Sequence, residues 1–106
     1  MTDARVVLST VDSGEVARDI ARRLVEEHLA ACVSLLPGLR SIYFWDGNLQ
    51  DEPETLLVIK TGAACVDPLL ERLKQLHPYQ VPEMLVLSVE TASPEYLGWI
   101  ASQTRP

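Results

Sequence analysis

The stretch "HPYQVPE" (His77–Glu83) gathers the residue types in this chain best able to do chemistry. It holds one of only two histidines, a phenol and a carboxylate, framed by two prolines. Imidazole nitrogen with carboxylate oxygen can ligate Cu(II) or Zn(II), so His77 and Glu83 are the candidate metal ligands. Two donors make a thin set, because tight sites use three or four protein ligands. The structural role weighs more than the ligand one: His77 would cap the carbonyls ending the preceding helix, with Pro78 and Pro82 stiffening the connection.

The other reactive side chains add little. Cys32 and Cys65 lack the spacing of a metal-binding pair and read as small core hydrophobes. His28 stands at the end of a helical stretch and reads as a surface or capping residue. A nucleophile needs a base within hydrogen-bond reach, and the one conceivable pair is Ser9 with His77. The glycines are isolated, so there is neither a nucleophile elbow nor a phosphate-binding loop. After the first strand, Val11-Asp12-Ser13-Gly14-Glu15 is acidic and would repel phosphate. The chain is expected not to be an enzyme.

Charge narrows the partners. Nine Lys and Arg against fifteen Asp and Glu give a net charge of −6, with no basic run, which excludes nucleic acid as a natural partner. No basic segment leads into an apolar one at the N-terminus, and no apolar stretch is long enough to span a bilayer. The expectation is a single cytoplasmic domain over residues 1–106, with reduced cysteines and no membrane partner.

The elements that must position these residues follow from hydrophobic period. "RVVLSTV" (Arg5–Val11) is a β-branched run of strand length. Asp12, with Glu15 three residues on, predicts a helix start, and Val16, Ile20, Ala21, Leu24 and Val25 recur at helical spacing. "ACVSLL" (Ala31–Leu36) and "SIYFW" (Ser41–Trp45) predict a strand broken at Pro37-Gly38. Asp46-Gly47 then signals a two-residue hairpin turn into "ETLLVIKT" (Glu54–Thr61). Asp67-Pro68 opens a second helix with Leu69, Leu70, Leu73 and Leu76 on its core face, ended by Pro78. "EMLVLSVET" (Glu83–Thr91) is the last strand, and Ser93-Pro94 begins a short final helix. The order β-α-β-β-α-β predicts an α+β, ferredoxin-like split β-α-β sandwich with an additional C-terminal helix.

The hairpin is too long for the domain. With Asp46-Gly47 as the loop, Trp45 faces Asn48 and Cys32 faces Thr61. Each arm then runs about fourteen residues, or roughly 45 Å. A compact chain of this size is only about 30–35 Å across. The tip carries Tyr43, Phe44 and Trp45, and leaving them on an unpaired edge invites aggregation. An oligomer that covers the tip is expected.

Together "LVEEHLAACVSLLPGLRSIYFWDG", "ETLLVIKT", "HPYQVPE" and "YLGWI" resemble the CutA family of divalent-cation tolerance proteins, in order and spacing, from Val6 to Ile100. The resemblance implies a ferredoxin-like subunit in a tight homotrimer whose long hairpins exchange strand contacts. It implies a role in tolerance to copper and other divalent cations. It also implies architectural kinship to PII-type signalling proteins, which bind small molecules in clefts between subunits.

One departure bears on the metal. Copper-linked relatives can carry a Cys on the first strand and a second His just before the "HPY"; here those positions are Ser9 and Leu76. Soft thiolate with imidazole suits copper, whereas imidazole with carboxylate is less selective. Two functional readings result. In one, a homotrimer with no required cofactor binds Cu(II) or another divalent cation weakly through His77 and Glu83. In the other, a PII-like module holds a small molecule or partner protein in an inter-subunit cleft lined by Tyr43, Trp45, Tyr79 and Glu83. The plainer role for those aromatics is interface packing.

Overall fold

The computed structural model describes residues 1–106. Strand β1 (Ala4–Val11) leads into helix α1 (Gly14–Glu26), followed by the long strands β2 (Cys32–Trp45) and β3 (Asn48–Gly62). A 3₁₀ turn (Ala63–Cys65) precedes helix α2 (Val66–Leu76), then a short β4 (Leu85–Ser88) and helix α3 (Pro94–Gln103). The four strands form one antiparallel sheet in the order β2-β3-β1-β4, the expected ferredoxin-like topology.

Alternation along the strands sorts their residues between two faces. Val7 and Val11 of β1, and Leu57 and Ile59 of β3, turn to one side. There they meet Ala17, Ile20 and Leu24 of α1 and Leu69 and Leu73 of α2 in a closed core. Full burial of each Val, Leu or Ile side chain there contributes about 1.5–3 kcal/mol. Ser9 also sits on this face, fully buried, and its Oγ has no hydrogen-bond partner. On the opposite face α3 covers only the Ala4 end, through Ile100, and the rest lies open. Val6, Leu8, Leu56 and Val58 are half-buried there, while Leu36, Leu85 and Leu87 are exposed.

The ends of α1 show why local signals mislead by a residue. Its N-cap is Ser13, not Asp12: the Ser13 hydroxyl accepts the Val16 N–H at 3.2 Å, and Asp12 is left exposed. At the other end His28 adopts φ 60°, with Leu29 N–H bonded to the Leu24 carbonyl and His28 N–H to that of Val25. That is a Schellman cap built on histidine instead of glycine. The His28 ring lies 3.1 Å from the Gln103 carbonyl, and its own carbonyl accepts from Arg105 N–H, so this cap also ties down the C-terminal segment. At α2, Asp67 lies within the first turn and Cys65 is the N-cap residue, two residues earlier than expected.

Asp46 and Gly47 make the two-residue turn, with φ of 52° and 77°, and Trp45 pairs with Asn48 as expected. The strand does not break at Pro37-Gly38. β2 runs through it as a bulge, Leu36 pairing with Leu56 but Leu39 with Glu54, and Gly38 takes φ 84°. The extra residue shifts the inner register by one, so Cys32 faces Lys60 and not Thr61. The hairpin stretches the molecule to 45 × 25 × 22 Å, with a radius of gyration of 14.2 Å. Phe44 at its tip is 73 % exposed, and Ile42, Tyr43, Trp45 and Leu49 are exposed beside it.

Candidate functional site

The distal hairpin, the end of β1 and the α2–β4 connector enclose an open cleft of about 860 Å³. The connector's course is set at His77. Its backbone N–H closes the last turn of α2 on the Leu73 carbonyl, and Pro78 prevents another turn. The imidazole is 6 % exposed and turns away from the helix. Its Nδ1 accepts the Tyr79 backbone N–H at 3.1 Å, which leaves the ring proton on Nε2, donated to the Thr10 carbonyl at 2.8 Å. His77 is therefore a latch between β1 and the connector, and its ring does not cap the α2 carbonyls.

Tyr79, held in this way, packs edge-on against the imidazole with ring centroids 4.6 Å apart. Its hydroxyl donates to Glu54 Oε2 of β3 at 2.6 Å. Burial, the bond to Glu54, and the nearby charges of Glu54 and Asp12 all push the Tyr79 phenol well above its ordinary range. Glu54 is only 6 % exposed, engages no basic side chain, and has no hydrogen bond to its other oxygen, Oε1.

The cleft has a uniform character. Asp12, Glu52, Glu54 and Glu83 bring carboxylates from three directions. Tyr43, Trp45 and Tyr79 supply aromatic surface, and no Lys, Arg or His lines it. The structure thus gathers four of the five sequence-predicted site residues, Tyr43, Trp45, Tyr79 and Glu83, at one cleft. His77 stands behind the wall, fixing Tyr79. In the sequence Asp12 has the spacing of a helix cap, and nothing marks Glu52 as a site residue. Glu54 has only a weak signal: it adjoins Leu56 and Val58 on one face of β3, but Glu52 and Lys60 share that face.

For a metal, the donors do not assemble within one chain. Both ring nitrogens of His77 are engaged, and no three His, Cys, Asp or Glu side chains converge. Ser9 gives no thiolate and forms no bond to His77. Cys32 lies toward the other end of the sheet, its Sγ 3.7 Å from Lys60 Nζ, as topology requires.

Comparison with known proteins places the chain. The family model described as "CutA1 divalent ion tolerance protein" matches residues 5–103. A protein of Thermus thermophilus named "Divalent-cation tolerance protein CutA" is 52 % identical over 99 residues, covering 93 % of this chain and 96 % of that one. A Pectobacterium atrosepticum protein of the same name is 43 % identical over 105 residues, covering 99 % and 96 %. Among solved structures, CutA from Xylella fastidiosa superposes with a TM-score of 0.96 at 41 % identity, covering 98 % of this chain and all of that one. A structure from Archaeoglobus fulgidus, described as the "Periplasmic divalent cation tolerance protein CutA", gives a TM-score of 0.91 at 30 % identity, over 94 % and 97 %. With the family match and these relatives spanning nearly all of its length, the chain belongs to the CutA1 divalent ion tolerance protein family.

Proposed function

We propose that this chain serves divalent-cation tolerance as a cytoplasmic homotrimer that is not an enzyme and needs no resident cofactor. The carrying observation is family membership over residues 5–103. The trimer is supported by the open apolar part of the sheet face and by exposed Ile42, Phe44 and Leu49 on the side of the hairpin away from Tyr43 and Trp45, both of which a second copy of the chain would cover. Metal binding in this reading is weak. Glu83 is the accessible ligand; His77 joins it only by giving up its bond to Thr10 or Tyr79, which strands a buried polar group at a cost of about 1–3 kcal/mol. Calorimetric titration of Cu(II) into wild type and His77→Ala tests this, after light scattering has shown both to be trimers. Stoichiometric binding lost in the mutant makes His77 a ligand. Equal binding by both, or by neither, removes His77 from the metal account.

A second reading is favoured by the cleft itself. At about 860 Å³, with three aromatic residues in its walls, it has the size and lining of a small-molecule site. In that reading the protein is a binding module whose ligand sits against Tyr43, Trp45 and Tyr79.

A further inference from the structure

We propose that the cleft is a binding site for an organic cation, an aliphatic or alkylated ammonium group. The inference rests on the second reading above and names the ligand class.

The first observation is a buried carboxylate with no basic partner in its own chain. Glu54 is 94 % removed from solvent by its 6 % exposure, yet no Lys, Arg or His pairs with it. Tyr79 holds Oε2 and so fixes the side chain of Glu54, a residue of the cleft wall, while Oε1 has no hydrogen-bond partner. A carboxylate kept in this state favours a positive ligand, because an unpaired buried charge is among the costlier features a fold retains. The second observation is independent of charge: Tyr43, Trp45 and Tyr79 line the same space. Aromatic faces attract cations through their quadrupole, tryptophan most strongly. Carboxylates with aromatic walls are the pairing that recognises an ammonium carried on an apolar body.

The competing classes fit less well. A bare metal ion needs several ligands converging on one point, and no three converge here. Nucleotides and other phosphates would meet Asp12, Glu52, Glu54 and Glu83 with no basic residue to offset them.

The test uses the intact trimer carrying Trp99→Phe, so that Trp45 is the sole tryptophan reporter, with EDTA present to remove metals. Trp45 fluorescence is followed while choline, spermidine, glycerol and ATP are titrated separately. The expected result is saturable change with choline and spermidine. Glu54→Gln, whose amide oxygen can still accept from Tyr79, weakens that response about tenfold or more. Glu83→Gln, in the accessible part of the cleft, gives a smaller loss, and Glu90→Gln, exposed and outside the cleft, gives none. Unchanged affinity in both cleft variants overturns the proposal. Saturation by glycerol or ATP but not by the cations overturns the ligand class and leaves the binding-module reading standing. Saturation by no probe removes both.

Discussion

On β3, Leu57 and Ile59 point toward the helices and are fully buried, whereas Leu56 and Val58, each one residue away, face the uncovered side and stay half-buried. The side chains are of the same kind; what differs is what lies above them. The helix face closes within one chain, and its residues do their work at folding. The other face and the hairpin beyond it expose leucine, tyrosine and tryptophan that a single chain cannot cover, and the cleft opens there. The pleat of the sheet thus separates residues that close the subunit core from residues left for an assembly or a ligand, with Leu85 and Leu87 of β4, and Tyr43 and Trp45 beyond the bulge, on the open side.

The largest test of this division is a matched pair. Leu57→Ala should cost about 3–5 kcal/mol in denaturant unfolding, since the closed core cannot collapse around the gap. Leu56→Ala, the same deletion on the other face, should cost about 1 kcal/mol in the subunit, with a loss that grows on dilution as assembly weakens. Equal, concentration-independent losses would break the comparison. Next in size is His77→Ala, which leaves the Thr10 carbonyl and the Tyr79 N–H without partners and should cost about 2–3 kcal/mol. Hydrogen exchange at the Tyr79 amide should accelerate in step; an unchanged rate would show that the imidazole is no latch.

The smallest effect is Tyr79→Phe, about 1 kcal/mol at neutral pH for the lost bond to Glu54. Its pH dependence sharpens the assignment. Folding raises the Tyr79 pKa, so the folded state disfavours the phenolate. That contribution is fully present below the ordinary tyrosine pKa of about 10 and is lost as pH rises from there toward the raised folded value. Wild type should therefore lose stability above pH ~10 more steeply than Tyr79→Phe, measured by thermal unfolding across that range. Parallel curves would place the alkaline sensitivity elsewhere.

Much of the fold is legible in the chain because its signals are local. Asp46-Gly47 announces its turn, the leucines of α2 mark their own buried stripe, and Ser93-Pro94 caps α3, with the Ser93 hydroxyl accepting from Tyr96 N–H. What is hidden depends on partners distant in sequence. The one-residue shift that sets Cys32 against Lys60 comes from a bulge, and Pro37-Gly38 reads equally well as a break. β4 is shorter than its apolar run because only Arg5–Leu8 of β1 pairs with it and its other edge is open. In the site, the aromatics and Glu83 were visible by type. The Tyr79–Glu54 bond was not, since it exists only once the β1–α1–β2 and α2 crossovers bring β3 beneath the connector.

The hairpin has a kinetic consequence. β2 and β3 are adjacent in sequence and joined by a turn already bent for pairing, so their ladder can zip outward from Asp46-Gly47 without closing a long loop. β1 and β4 come from opposite ends of the chain, and their pairing must wait until that entropy is overcome. The element that projects furthest from the finished subunit is therefore the one expected to form first. Gly47→Val should slow refolding more than it speeds unfolding, a balance stopped-flow measurements would read directly, and the reverse balance would put the start of folding in the core.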